Sequence, residues 1–167
     1  KTRNPALYPV VVIALYTGMR KDEILSLRWS NVDLVRRRVQ LEDTKNGERR
    51  QVPLVGPAAE VMLEWWERRT GHPRDGFLFP AINKAGQPID LRKAWATAIK
   101  NSQIDDFHIH DIRHSTASYM AMSGATSAEI AEVLGHKTLQ MVKRYSHLSE
   151  SHSRGVMERM AEKFKAG

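Results

Sequence analysis

The sequence contains no cysteine, which excludes disulfide bonds and thiolate-ligated metal sites. It has no long hydrophobic run either: the longest apolar stretch, Val10 to Leu15, is far too short to cross a bilayer, and no signal-peptide pattern occurs. Acidic residues are fewer than basic ones: the chain has 19 aspartates and glutamates and 26 lysines and arginines, which gives a formal net charge of +7. This excess favours a polyanionic partner, although charge alone does not distinguish DNA from RNA or from an anionic membrane surface.

The length of 167 residues suits a single domain with a substantial core, and a hydrophobic fraction of 41% is ordinary for a globular protein. The chain opens at Lys1 and not at methionine. We therefore expect it to be part of a longer protein with a further domain upstream. We also expect a cytoplasmic location and no membrane partner.

The hydrophobic pattern predicts a mainly helical α+β fold. A first helix is expected from Asn4-Pro5, with Pro9 inside its first turn, to a stop at Gly18. Alternating polar and apolar residues predict a small antiparallel sheet of three short strands, at 32–34, 38–42 and 50–54, with a hairpin turn at Asn46-Gly47. Further helices are expected at 21–28, 57–69, 91–99, 111–123, 126–134, from 138 through 145, and 149–164.

Basic and hydroxyl side chains gather in the C-terminal third of the chain, with one distant partner near the start. Residues 110–114 are His-Asp-Ile-Arg-His, residues 134–136 are Leu-Gly-His, and Tyr145 lies in Lys-Arg-Tyr-Ser-His. Far upstream, Arg20 comes just after the predicted helix stop at Gly18. Because the chain has no cysteine and few carboxylates lie near these residues in sequence, the set predicts a poor metal site.

The same residue types suit the attack of a phenol on a phosphodiester. The paired N–H groups of an arginine guanidinium match the two non-bridging oxygens of a phosphodiester, and the guanidinium stays charged at any working pH. Its hydrogen bonds become stronger as negative charge builds on those oxygens during the reaction. A tyrosine can form a covalent phosphotyrosine, and a lysine or histidine can protonate the departing 5′-oxygen. The residues therefore predict the breaking and rejoining of DNA with no metal ion and no cofactor.

Four motifs follow one another in a fixed order. Thr-Gly-x-Arg-x-x-Glu occupies 17–23, His-x-x-Arg-His occupies 110–114, and Leu-Gly-His occupies 134–136; a tyrosine, Tyr145, follows nine residues after that last histidine. Each motif alone is a weak signal, but all four at these distances are specific. From about residue 4 to residue 148, the chain resembles the catalytic domain of the tyrosine recombinases, the phage-integrase family.

The resemblance implies a role for each matching residue. The six catalytic positions of the family correspond here to Arg20, Lys45, His110, Arg113, His136 and Tyr145. The two arginines would clamp the scissile phosphate and the tyrosine would attack it. The lysine would be the general acid for the leaving 5′-hydroxyl, and the two histidines would hydrogen-bond the phosphate and assist proton transfer. Glu23 would orient Arg20 or a histidine, and His114 would be a further supporting residue.

The resemblance also implies partners and an assembly. The expected partner is double-stranded DNA, which this domain would bind as the C-terminal half of a C-shaped clamp. The full-length protein would act as a homotetramer on DNA. Residues 1–148 would form the catalytic domain and 149–167 a C-terminal helix or tail, while the family's N-terminal core-binding domain would be missing from this sequence. Whether the tail is exchanged between protomers, and whether accessory proteins bend the DNA, is left open. Further phosphate contacts are expected from Lys21, Arg28, Thr44, Arg49, Arg92, Lys93, Lys137, Lys143 and Arg144.

Other interpretations compete with this one. Residues 129–145, with a glycine at 135, imitate the helix, turn and recognition helix of a DNA-binding regulator. That alternative leaves Arg20, Lys45 and the pair at 110 and 113 without a role. An inactive relative retained as a DNA-binding partner is a third class, against which the intact catalytic positions argue. Tyr145 by itself fits a core aromatic, because it continues an apolar stripe at three-residue spacing.

Overall fold

The computed structural model describes residues 4–41, 49–68, 73–84, 86–136 and 138–165. The chain divides into two compact units, Lys1–His114 and Ser115–Gly167, so that the boundary falls within the helix Asp111–Met122. None of the described helices combines the length and the apolar character that a bilayer crossing requires.

Helices dominate the first unit. They are α1 (Leu7–Thr17), α2 (Lys21–Ser26), α3 (Pro57–Glu67) and α4 (Arg92–Ser102), followed by α5 (Asp111–Met122), which continues into the second unit. The strands β1 (Val32–Asp33), β2 (Arg38–Leu41) and β3 (Arg50–Pro53) form one antiparallel sheet in the order β1-β2-β3. The predicted fold class, mainly helical with a three-stranded antiparallel sheet, is confirmed.

The first helix begins two residues later than predicted. A start at Pro5 would place Pro9 in the second turn, where its missing N–H would leave a carbonyl unbonded. With the start at Leu7, Pro9 is in the first turn, where no intrahelical donor is needed. Asn4 still acts at this end, because its Oδ1 accepts from the Ala6 N–H at 3.0 Å. The helix ends as predicted at Gly18, whose φ of 62° is left-handed.

The sheet buries one of its faces. Val39 lies opposite both Val32 and Val52, and Leu41 lies opposite Arg50. Val39, Leu41 and Val52 are buried in the apolar core of the first unit, as the two-residue period of a strand requires. The predicted hairpin turn at Asn46-Gly47 lies outside the described residues.

The second unit contains α5 from Ser115 onward, α6 (Ser127–Leu134) and α7 (Glu150–Lys165). The predicted capping box of α6 is present, because Thr126 Oγ1 accepts from the Glu129 N–H at 3.2 Å while Glu129 Oε2 accepts from the Thr126 N–H at 2.7 Å. A small separate core is formed by Ala117, Ala121, Ile130, Ala131, Leu134, Val142 and Tyr145.

The helix predicted from Thr138 is wrong in type. Two 3₁₀ helices, Leu139–Met141 and Lys143–Ser149, occupy this stretch. The apolar residues here are spaced by three, which is the repeat of a 3₁₀ helix and not the 3.6 of an α-helix. The stripe itself is only partly buried, because Val142 and Tyr145 are in the core whereas Leu139 is 56% exposed.

Candidate active site

Arg20 is placed by the turn between α1 and α2. Gly18 ends α1 in the left-handed region, and its N–H donates to the Ala14 carbonyl at 2.9 Å. Met19 is fully buried and anchors the turn. Arg20 then adopts an extended backbone immediately before α2. The turn therefore fixes the point from which the arginine side chain leaves the backbone.

Glu23 holds Arg20 at two points. Its Oε1 accepts from Arg20 Nη1 at 2.8 Å, and its Oε2 accepts from the Arg20 backbone N–H at 2.8 Å. The side chains of Arg20 and Glu23 are 22% and 10% exposed. A charge-assisted contact in such a partly desolvated place is stronger than the same contact on an open surface. This geometry supports the prediction that Glu23 orients Arg20.

Arg50, which sequence reasoning missed, completes this group. Its Nη2 donates to Glu23 Oε2 at 2.7 Å, so one carboxylate bridges two guanidinium groups. Burial lowers the pKa of Arg50 and the nearby charge of Arg20 lowers it further, while Glu23 acts in the opposite direction. A signal for Arg50 existed in the pattern of β3: two residues before the inward-facing Val52, an arginine stands where the strand should be apolar.

Arg113 reaches the same turn from the start of α5. It is 4% exposed, and its Nη1 donates to the Gly18 carbonyl at 2.5 Å across 95 positions of sequence. Arg20 lies two residues beyond that carbonyl. Two arginines predicted to share a task are thus brought to one turn of the first unit, as the hypothesis of a common anionic ligand requires.

His110 and His114 lie at the start of α5. His110 immediately precedes the helix and is exposed, and its ring centroid lies 5.4 Å from that of His114 in an edge-on arrangement. Asp111 Oδ2 accepts from the His108 backbone N–H at 2.6 Å and so fixes the approach to the helix. His110 is therefore adjacent in space to a supporting histidine and adjacent in sequence to the segment that carries Arg113.

The remaining two described candidates belong to the second unit. His136 follows Gly135, whose left-handed φ of 63° ends α6, and the His136 N–H donates to the Ala131 carbonyl at 2.8 Å. Tyr145 lies in the second 3₁₀ helix and is 6% exposed, with Val142 and Leu134 in the same apolar cluster. The guanidinium of Arg144 lies 6.0 Å from the centroid of the Tyr145 ring.

Some of the predicted DNA contacts are bonded to other residues of the protein, whereas others are exposed. Arg28 is engaged by the protein, since its Nη1 donates to the Asp75 carbonyl at 2.5 Å and its guanidinium lies 4.3 Å from the Phe77 ring centroid. Arg92 forms an ion pair with Asp90 at 2.6 Å. Lys45, like Thr44 and Lys137, lies outside the described residues. The remaining predicted contacts are Lys21, which is partly exposed, and Arg49, Lys93, Lys143 and Arg144, which are exposed.

Comparison with known proteins decides the family. The sequence profile of the phage integrase family matches residues 2–152. The chain belongs to the phage integrase family. It is 34% identical over 154 residues to the shufflon-specific DNA recombinase of Escherichia coli, covering 89% of this chain and 36% of that protein. The chain thus spans little more than a third of that relative.

Solved structures show the same fold. The catalytic domain of bacteriophage HP1 integrase matches with a TM-score of 0.70 and 27% identity, over 95% of this chain and 84% of that one. The Tn1549 transposon integrase in complex with circular intermediate DNA matches with a TM-score of 0.73 and 22% identity, over 96% of this chain and 61% of that one. At 27% identity, the phage integrase match covers most of both chains and agrees with the family assignment.

Proposed function

We propose that this chain is the catalytic domain of a site-specific DNA recombinase, which cleaves and rejoins duplex DNA through a 3′-phosphotyrosine. The observation that carries the proposal is the meeting of Arg20 and Arg113 at one turn of the first unit, with Glu23 holding Arg20 in place. Two fixed guanidinium groups in a partly desolvated place suit a phosphodiester whose charge rises during reaction. The family and the names of its recombinase and integrase members point to DNA as that ligand.

Strand cleavage is proposed to be a transesterification. The phenolic oxygen of Tyr145 attacks the phosphorus while the bond from phosphorus to the 5′-oxygen breaks, which leaves a 3′-phosphotyrosine and a free 5′-hydroxyl. The proton lost by the phenol and the proton gained by the 5′-oxygen balance. We assign donation to the 5′-oxygen to Lys45, and we assign His110 and His136 to hydrogen bonds with the phosphate and to proton transfer.

Rejoining is the reverse step with a different strand. A 5′-hydroxyl of the partner duplex attacks the phosphotyrosine, and the phenol leaves with its proton restored. Because the number of phosphodiester bonds is conserved, no nucleotide hydrolysis is needed. The two arginines supply the fixed positive charge on the phosphate that this chemistry requires, so the proposed reaction is independent of a metal ion.

A binding-only regulator is disfavoured by the structure of residues 138–149. A recognition helix must be a continuous α-helix to lie along the major groove. Here two short 3₁₀ helices, Leu139–Met141 and Lys143–Ser149, follow α6 instead. Residues 138–149 therefore contain no α-helix that could serve as a recognition helix.

Assembly of four protomers on two duplexes is part of the proposal, as is action in the cytoplasm on bacterial or phage DNA. The apolar side chains of α7 support the assembly: they are all at least 43% exposed, and the small core of the second unit includes none of them. An exposed apolar stripe on a terminal helix fits packing against a neighbouring protomer. These side chains are Val156, Met157, Met160 and Phe164.

Covalent capture tests the function. The full-length protein is incubated with a library of duplexes that carry a randomised centre and a nick, so that cleavage releases a short fragment and traps the adduct. Protein-linked DNA that survives denaturing detergent is recovered and sequenced, and one recovered duplex is then used for rates. We expect a covalent adduct with wild-type protein and none with Tyr145→Phe, which removes only the phenolic hydroxyl.

Binding by the same duplex is the control for this experiment. Tyr145→Phe should bind the recovered duplex as wild type does, with an affinity that falls steeply as salt rises, because phosphate contacts release counterions. Sequence-specific binding by wild-type protein without any adduct would support the regulator and would overturn the proposed reaction.

A further inference from the structure

We propose that Arg50 is a positioning residue for phosphate capture: it neutralises Glu23, so that the positive charge of Arg20 remains available to the phosphate. This inference rests on the proposed function, since it assigns Arg50 a task in the same reaction. The motifs that identify the family do not include Arg50, and its contact with Glu23 is seen in the structure.

The first support is the geometry of the bridge. Both oxygens of Glu23 are engaged: Oε1 accepts from Arg20 Nη1 at 2.8 Å, and Oε2 accepts from Arg50 Nη2 at 2.7 Å. The carboxylate is 10% exposed and the Arg50 side chain is 12% exposed. Water therefore screens these charges weakly, and each one affects its neighbours strongly.

The second support is the net charge of the group. Arg20 and Glu23 alone form a neutral pair, which would attract a phosphodiester only through its dipole. Addition of Arg50 leaves this group of three with one net positive charge, in addition to that of Arg113 at the same turn. Glu23 can then orient Arg20 without cancelling its attraction for the ligand.

The third support is the poor hydrogen bonding of Arg50 itself. Within the described part of the chain, its Nε and Nη1 are buried and have no hydrogen-bond partner. Buried donors are normally satisfied, and an arginine that served only to fasten β3 would be expected to use more of its five donors. The unbonded Nε and Nη1 are accounted for if Arg50 acts through its charge more than through its hydrogen bonds.

A charge-swap experiment separates this task from a merely structural one. Arg50→Met removes the charge and keeps a long apolar side chain, whereas Arg50→Lys keeps the charge and loses the fork. On the captured duplex, we expect the rate of adduct formation to fall at least about tenfold in Arg50→Met, which is less than the about hundredfold loss for removing a direct transition-state donor. We expect Arg50→Lys to stay within about threefold of wild type, as a positive charge persists beside Glu23.

The decisive variant is Glu23→Gln combined with Arg50→Met. Removing both charges returns the group to one net positive charge, so the double variant should react faster than Arg50→Met alone and within about threefold of Glu23→Gln alone. If the rate loss of the double variant equals the product of the losses of the two single variants, the proposal is overturned, because Arg50 would then act independently of the Glu23 charge. The matched control is Arg38→Met, an arginine in β2 bonded to Gln51 at 2.8 Å, for which no loss of rate is expected.

A neutral substrate gives a second readout. With a methylphosphonate at the scissile position, the ligand has no charge to match, so the defect of Arg50→Met should largely disappear. An equal defect on both substrates would show a structural role and would refute the inference even if the variant is destabilised. Failure of wild-type protein to form any adduct would instead refute the proposed function, and an adduct formed equally fast by wild type and Arg50→Met would refute only the inference.

Discussion

Substitution of Arg113 by alanine should damage both stability and reaction, by amounts that the structure allows to be worked out. Arg113 is 4% exposed and donates to the Gly18 carbonyl at 2.5 Å. A hydrogen bond to a charged group contributes roughly 1.5–3 kcal/mol, so a loss of about 2 kcal/mol is expected. For a chain of this size that corresponds to a fall in Tm of about 4–8 °C. The rate of adduct formation should fall at least about a hundredfold.

Two assays on the same preparation check these numbers. Calorimetry or circular dichroism gives Tm, and the captured nicked duplex gives the single-turnover rate at a temperature well below the melting of the variant. Arg36→Ala is the control, because its ion pair with Asp33 at 3.5 Å is exposed and should change neither quantity. A Tm equal to that of wild type would show that Arg113 does not fasten the turn at Gly18, and an unchanged rate would remove Arg113 from the site.

Three further predictions concern other parts of the chain. Lys45→Ala should be rescued by a duplex with a 5′-thio leaving group, which scarcely needs a proton; equal failure on both duplexes would mean that Lys45 is not the acid. Hydrogen bonds from Arg92 lower the pKa of Asp90 to about 2. The stabilisation from this pair is therefore fully present above the ordinary value of 3.8 and is lost as the pH falls through about 2; NMR titration should show the pKa rising toward 3.8 in Arg92→Gln. Deletion of residues 155–167 from the full-length protein should impair recombination and tetramer formation but leave duplex binding intact, and wild-type recombination by the truncated protein would contradict the assigned role of α7.

The local parts of this fold were predictable because their causes are local. Gly18 and Gly135 both adopt the left-handed conformation that glycine tolerates, so each helix end followed from sequence alone. The capping box at Thr126 and Glu129 is likewise a matter of two residues three apart. The family motifs likewise identify the site candidates from sequence alone.

The parts that could not be predicted depend on long-range pairing or on a small difference in period. Nothing near Arg113 in sequence indicates that its partner is Gly18. The contact of Arg50 with Glu23 joins β3 to α2 across 27 positions of sequence. For the stretch from Thr138, apolar residues spaced by three over so few residues fit both an α-helix and a 3₁₀ helix, so the sequence does not distinguish the two. The tasks of the individual site residues stay predictions, since they concern contacts with a substrate.

The bridge at Glu23 also has a consequence for the order in which the protein is made. Arg20 and Glu23 leave the ribosome together as a charge-balanced pair, and their counterpart in β3 is synthesised 27 residues later. Arg113, which donates to the Gly18 carbonyl, is synthesised only after another 63 residues, at the start of α5. A half-translated chain therefore lacks the contact between Arg113 and Gly18, and Arg20 and Arg113 come to this turn only after the start of α5 has been made.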